Sequence, residues 1–329
     1  MKQPVSELRL DLVSNDWVII ATGRGRRPET FSPKKRAQKP ASAKNCPFCQ
    51  PQILEKAILK YGESKNDWSV MVMPNDYPVF AQGEDLNERA SGPNKIMDGL
   101  GFHEVIITKD HRKQMAQFSQ KEIKEVIDVY QTRYLDLMNK KFIKYISIFH
   151  NHGQEAGASI AHPHSQLMAI PVIDPDLRGS VEGAEKYYLK NKKCVYCAMI
   201  EWDSKEGKRI IYENDKFIVL SPFAPKVSFE TRVYPKEHLP YFEKMSEKEK
   251  ELFAEAFGIA LTKLYQGLGD PAYNFYIHTA PCDRGNYKHY HWHLIILPKT
   301  AVWAGFELGT GIEVSTIEPE RAADFLRKQ

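Results

Sequence analysis

No stretch of the 329-residue chain approaches the roughly 18 consecutive apolar residues that a membrane span requires. The opening MKQPVSELRLDL has no signal-peptide core. These absences argue against a membrane partner and place the expected protein in the cytoplasm. Neither sign of charge dominates: 46 Lys and Arg against 42 Asp and Glu leave a net +4. That is too small a surplus to call for a nucleic-acid partner, although clustered basic residues can still bind small anions. Cysteine is scarce, with five residues in all, so no disulfide framework is in view. Four of them nevertheless form two CxxC pairs, Cys46-Pro47-Phe48-Cys49 and Cys194-Val195-Tyr196-Cys197. In a reducing compartment such pairs read as metal ligands or redox centres. With 42% hydrophobic and 27% charged residues, the chain has the composition of an ordinary globular protein. Its length allows one large or two medium domains.

The stretch Asn151 to Pro171 organises the rest. Its small-residue run, Ala156-Gly157-Ala158-Ser159, lets backbone approach a ligand closely, and His162-Pro163-His164-Ser165-Gln166 follows at once. In an extended chain, residues two apart share a face, so His162, His164 and Gln166 form one row ahead of the apolar strand Leu167 to Ile170. Upstream, Leu8 to Ala21 reads as a strand, and Gly23 to Pro28 carries three arginines among glycines. Those arginines suit either a phosphate-gripping loop or a solvated basic turn. The strand Trp68 to Met73 ends at Pro74-Asn75-Asp76, polar residues fit either to meet a nucleoside or simply to turn the chain. Ser119 with Glu122 forms a capping box ahead of Ile123, Val126, Ile127, Tyr130 and Tyr134 at helical spacing.

Residues 172–193, polar and turn-rich, read as a connector, after which the pattern begins again. The second CxxC, the strand Phe217 to Leu220, Lys236-Glu237-His238, a capping box at Ser246 and Glu249, and His289-Tyr290-His291-Trp292-His293 repeat the first half in order. His111 to His162 and His238 to His289 both span 51 positions. The spacing predicts an α+β protein of two tandem modules, residues 1–171 and 194–329, each an antiparallel sheet with a packed helix, the two sheets continuing into one another.

Each half then offers a Cys2His2 set: Cys46, Cys49, His111 and His162 in the first, Cys194, Cys197, His238 and His289 in the second. Such a set closes a tetrahedral zinc site with no open position, so two structural zinc ions are expected. A thioredoxin-type redox pair is disfavoured because neither CxxC is expected to open a helix behind a strand. The assignment leaves His164 and His291 as middle, unliganded histidines. Each is either a nucleophile pre-positioned by a metal-bound neighbour or a buried histidine satisfied by hydrogen bonds.

With these residues in place the chain resembles the galactose-1-phosphate uridylyltransferases, the double-module branch of the histidine-triad superfamily. The likeness covers the arginine loop, the Asn-Asp turn, NHGQEAGAS, the HPHSQ signature and Gly305-Phe306-Glu307. It implies that His164 is the nucleophile that takes a nucleoside monophosphate from a nucleotide sugar, with Gln166 and Ser159 at the phosphates and Arg24 and Arg27 on phosphate oxygens. It also implies Asn75, Asp76 and Asn151 in the nucleoside pocket, Phe306 and Glu307 at the hexose, and a homodimer. The implied reaction is ping-pong exchange of UMP between UDP-glucose and galactose 1-phosphate, a transferase of galactose and carbohydrate metabolism. His152 stands where well-studied members have lysine, and Ala301-Val302 replaces a lysine-phenylalanine pair. These departures, and the second CxxC, resemble the plant ADP-glucose phosphorylase branch and equally the short prokaryotic uridylyltransferases, which makes phosphorolysis of ADP-glucose the alternative. A zinc module that binds nucleotides without catalysis is a third reading, separable at His164.

Overall fold

The structure, a computed structural model, describes residues 5–21, 42–62 and 67–329. Its first half holds β1 (Glu7–Leu10), β2 (Trp17–Ile20), β3 (Leu59–Gly62), β4 (Trp68–Pro74), β5 (Arg89–Ser91), β6 (Asn94–Ile96), β7 (Phe102–Thr108), α1 (Gln120–Leu137), β8 (Tyr145–His152) and β9 (His164–Ile170). Its second half holds α2 (Pro175–Asn191), α3 (Val195–Glu206), β10 (Ile210–Glu213), β11 (Phe217–Leu220), β12 (Thr231–Pro235), α4 (Glu247–Leu268), β13 (Tyr273–His278), β14 (His293–Pro298), α5 (Gly305–Thr310), β15 (Val314–Ser315) and α6 (Pro319–Arg327).

Ten of these strands form one sheet in the order β10-β11-β12-β14-β13-β8-β9-β7-β4-β3. The order reads alike from both edges to the middle, where β8 pairs antiparallel with β13, Phe275 facing His150. Two equivalent five-stranded sheets are therefore joined edge to edge, which removes one open edge from each. Both capping boxes form as expected: Ser119 and Glu122 exchange hydrogen bonds at the start of α1, and Ser246 and Glu249 do so at α4.

The alternation of side chains along the strands explains three layers. Ile146, Ile148, Leu167, Phe275, Leu294 and Ile296 face one way and share a continuous core with Ile123, Val126 and Tyr130 of α1 and Phe253, Phe257 and Leu261 of α4. On the opposite face, short 3-10 turns over residues 43–54 cover the first half, with Phe48 and Ile53 against Val105 and Ile107. There α2 and α3 cover the second half, with Leu177, Val195 and Tyr196 against Ile218 and Tyr234. Between α1 and α4 lies a buried ionic cluster, in which Asp128 takes Lys124 at 2.8 Å, Lys250 at 2.7 Å and the Tyr61 hydroxyl at 2.8 Å. Burial alone would raise the Asp128 carboxyl, but the bonds from Lys124, Lys250 and Tyr61 hold it below its ordinary value.

Two expectations are corrected. Leu8 to Ala21 is not one strand but the hairpin β1-β2, because the Asp11 carboxylate accepts the Val13 and Ser14 amides and Asn15 turns to φ 65°. This hairpin belongs with the other end of the chain: β2 pairs with β15, and Arg9 reaches Glu320 at 2.9 Å. Residues 172–193 are not turn-rich. They form α2, capped by the Asp174 side chain at the Leu177 amide and opened by Pro175, with Leu177, Ser180 and Ala184 buried on one face.

Candidate active site and metal centres

The turns over 43–54 bring Cys46 and Cys49 to the end of β7 and the start of β9, where His111 and His162 wait. Cys49 Sγ lies 3.3 Å from His111 Nδ1 and 3.4 Å from His162 Nδ1; Cys46 Sγ is 3.6 Å from His162 Nδ1, and the two Nδ1 atoms are 3.3 Å apart. A tetrahedral ion held by nitrogen and sulfur gives ligand–ligand edges of about 3.3–3.8 Å, so the four donors fit one. His162 donates its Nε2–H to the Thr108 carbonyl at 2.6 Å, which leaves the Nδ1 lone pair facing the thiols. Burial, with Cys46 alongside, pushes the Cys49 thiol up to about 11.

The second group is Cys194, Cys197, His238 and His291, and not the expected His289. Cys197 Sγ is 3.4 Å from His238 Nδ1 and 3.6 Å from His291 Nδ1. His291 donates Nε2–H to the Pro235 carbonyl at 2.9 Å, the counterpart of the His162 bond to Thr108. His289 is turned elsewhere, with its Nε2 buried and making no hydrogen bond. His162–Pro171 and His289–Pro298 are equal in length, and matching them end to end sets His289 against His162. Pro171 lies beyond the end of β9, whereas Pro298 is the last residue of the shorter β14, so the true register is offset by two. The second CxxC does open a helix, with Cys194 at the N-cap position of α3, but α2 and not a strand precedes it, so the strand-then-helix setting of a thioredoxin-type pair is absent there as expected. Each group could hold one metal ion.

His164 begins β9 and is 8% exposed. Its Nδ1 lies 2.8 Å from the carbonyl oxygen of His162. A carbonyl only accepts, so Nδ1 carries the proton and Nε2 keeps a bare lone pair. Burial lowers the His164 pKa, which keeps the ring neutral and Nε2 available at neutral pH. The ring of Phe48, between the two cysteines, meets the His164 ring edge at 5.2 Å and the His162 ring at 5.8 Å. The metal group and the candidate nucleophile are thus one packed unit.

Between β8 and β9, Gly153 at φ 81° and Gly157 at φ 88° make turns that a side chain would strain. The loop lines a cavity of about 510 Å³ with Asn151, Ser159, His162 and Pro163. Asn274 of β13 donates to both Asn151 Oδ1 and the Ala156 carbonyl at 2.8 Å, so the second half braces this loop and leaves the Asn151 NH2 as a donor. Gln166 shares the His164 face of β9, and its Oε1 lies 2.8 Å from Nε2 of His103 on β7. Asn75 touches the same imidazole, its Nδ2 being 3.1 Å from Nε2. Asp76 is half exposed and paired with Lys56 at 2.6 Å. Of the expected site residues Asn151, Ser159 and His162 line this cavity, whereas His164, Gln166, Asn75 and Asp76 do not, nor do Phe306 and Glu307, which lie on α5, a helix with no buried residue. Arg24 and Arg27 fall outside the described residues. His103 was missed: a lone strand histidine has no spacing partner to mark it.

The second half repeats the arrangement without its opening. His293, the true counterpart of His164, donates Nδ1–H to the His291 carbonyl at 3.1 Å but is 1% exposed, enclosed by Tyr196, Tyr234 and His278. The position of Gln166 is held by Ile295.

The family model described as "Galactose-1-phosphate uridyl transferase, N-terminal domain" matches residues 1–173, and one described as a domain of unknown function, DUF4921, matches residues 95–329. Over 98% of its length the chain is 31% identical to the ADP-glucose phosphorylase of Arabidopsis thaliana, covering 92% of that protein. It is 28% identical to the galactose-1-phosphate uridylyltransferase of Thermotoga maritima, covering 98% of each. The solved structure of an ADP-glucose phosphorylase from Arabidopsis thaliana with bound ADP-glucose superposes with a TM-score of 0.83 at 30% identity, over 99% of both chains.

Proposed function

This chain belongs to the galactose-1-phosphate uridylyltransferase family, a family of nucleotidyltransferases, and we propose that it exchanges UMP between UDP-glucose and galactose 1-phosphate through a covalent nucleotidyl-His164. The observation that carries this reading is the bare Nε2 of His164, fixed by the Nδ1–H bond to the His162 carbonyl. Nε2 attacks the phosphorus of the UMP moiety, an N–P bond forms, the bridging P–O bond breaks, and glucose 1-phosphate leaves. A phosphate oxygen of galactose 1-phosphate then attacks the same phosphorus and releases Nε2. The Gln166 NH2 and Ser159 stabilise charge on the non-bridging oxygens, and Asn151 holds the loop that carries Ser159. Arg24 and Arg27 would add cationic donors, and Asn75 and Asp76 would line the nucleoside pocket.

Zinc fits both Cys2His2 groups by donor type and count, and its role would be structural, since four protein ligands close a tetrahedral site. The two repeats divide at residues 1–171 and 194–329, with 172–193 between them. The protein acts in the cytoplasm, where its free thiols persist; no helix among the described residues is long and apolar enough to cross a membrane. It works as a homodimer. Val302, Trp303, Phe306 and Leu308 are exposed around α5, and a second copy would bring Phe306 and Glu307 to the hexose that they do not reach from the same chain's cavity.

A second reading is ADP-glucose phosphorolysis, favoured by the 31% identity to a phosphorylase and by Ala301-Val302 in place of the lysine-phenylalanine pair. Inorganic phosphate would then attack an adenylyl-His164 and release ADP. Product analysis separates the two. UDP-galactose formed from UDP-glucose and galactose 1-phosphate, with parallel-line kinetics, supports uridylyl exchange. ADP formed from ADP-glucose and phosphate supports phosphorolysis. No turnover of either pair, with nucleotide still bound, would leave the non-catalytic module.

A further inference from the structure

We propose that His103 is a positioning residue that fixes the Gln166 carboxamide with its NH2 toward the transferring phosphoryl group; the inference rests on the nucleotidyl-transfer reading. β7 and β9 pair antiparallel with His103 opposite Met168 and Val105 opposite Gln166. His103 and Gln166 are therefore diagonal neighbours on one face, within reach of long side chains. The imidazole is 7% exposed.

Its two nitrogens have different partners. The Val79 backbone N–H lies 3.3 Å from Nδ1, and an amide N–H can only donate, so Nδ1 carries the lone pair and the proton sits on Nε2. Nε2–H is then the donor to Gln166 Oε1 at 2.8 Å. A carboxamide tied by its oxygen must present its NH2 at the other end. In the opposite orientation it would turn a carbonyl toward phosphoryl oxygens and repel the charge that it has to stabilise. Asn75 packs beside the ring from the turn after β4: its own carbonyl is taken by the Tyr77 N–H at 2.8 Å, so its amide nitrogen, 3.1 Å from the protonated Nε2, is a donor beside a donor and makes no hydrogen bond to the ring. The turn assigned to the nucleoside pocket and the donor assigned to the phosphoryl group thus meet at one imidazole. The second half supplies an internal contrast. Ile295 replaces Gln166 there, and the residue two before Arg232, as His103 is two before Val105, is Glu230, which bonds Arg232 at 2.6 Å. With no carboxamide to orient, no imidazole is kept.

The test compares two polar variants. In His103→Gln the amide nitrogen falls where Nε2 was and can still reach Gln166; in His103→Asn it falls at the place of Nδ1 and cannot. Single-turnover adduct formation with UDP-glucose, or with ADP-glucose if that is the donor, is measured alongside melting temperature and zinc content. His103→Asn should slow adduct formation by about ten- to a hundredfold with nucleotide affinity little changed, whereas His103→Gln recovers most of the rate. His103→Asn combined with Gln166→Leu should be no slower than Gln166→Leu alone, because the histidine acts through the glutamine. Equal rates in the two His103 variants, or a double variant slowed by the product of the single effects, would overturn the assignment. A wild-type protein that forms no adduct would sink the nucleotidyl-transfer reading first, and this inference with it.

Discussion

His291 and His289 differ by two positions and by everything that matters to a metal. His291 brings Nδ1 to 3.6 Å from Cys197 Sγ and anchors Nε2 on Pro235, whereas His289 is not among the four clustered donors and its buried Nε2 makes no hydrogen bond. His291→Ala should lower bound zinc from two equivalents to one per chain, and His289→Ala should leave two, as read by elemental analysis after gel filtration. Equal losses would contradict the assignment. A second residue-scale prediction concerns Glu243, buried beside Tyr134 and Cys282 with one carboxylate oxygen making no hydrogen bond. Burial pushes its pKa up to about 7, above the ordinary 4.5. Between those values the folded chain holds a proton that the unfolded chain has released, so this group's contribution to stability falls as pH rises from about 4.5 through about 7. Glu243→Gln should therefore be nearly neutral at pH 4.5 and stabilise by roughly 1–3 kcal/mol at pH 8, visible in chemical denaturation. At this scale the sequence exposed the HPHSQ row and the first metal group, because each combines rare residue types at a meaningful spacing. It could not choose among His289, His291 and His293, which share one face of an extended chain. Nor could it find His103, whose significance is a contact across two strands.

Helices and strands were legible where one periodicity ran long enough. α1 and α4 carry capping boxes and apolar stripes, and both begin where those signals place them. α2 escaped because its buried face is only Leu177, Ser180 and Ala184, too small a stripe among polar residues to register. The hairpin at the N-terminus escaped because its turn is made by an Asp11 side chain and an αL asparagine in place of a glycine. The segment over residues 43–54 reaches β7 and β9 through Cys46, Cys49 and the ring of Phe48, so an ion held by Cys46, Cys49, His111 and His162 would tie it down. Removing metal with a chelator should open this segment to protease, and it should abolish adduct formation at His164 even though no metal is assigned to the phosphorus. An adduct rate unchanged after complete metal loss would show that Phe48 and the His162 carbonyl keep His164 in place without it.

Across the whole molecule, the doubled architecture was legible from the repeated order of CxxC, strand, histidine, capping box and terminal histidine cluster. The offset between halves was not, since a shared ancestral layout does not keep strand lengths equal. The seam between β8 and β13 joins the halves along their backbones, and Asp128 joins them through α1 and α4. Asp128→Ala would leave Lys250, 4% exposed, and Lys124 to share the single carboxylate of Glu247, at 2.6 and 3.1 Å. It should cost about 1.5–3 kcal/mol while unfolding remains a single transition, because one core spans both helices. The central claim is that His164 Nε2 carries a nucleotide between two phosphate esters. Intact-protein mass spectrometry tests it directly, with UDP-glucose and ADP-glucose offered separately and no acceptor present. The mechanism requires a mass increase of one nucleoside monophosphate, absent in His164→Ala and discharged by galactose 1-phosphate or by phosphate. An adduct that persists in His164→Ala, or no adduct from either donor, would contradict it.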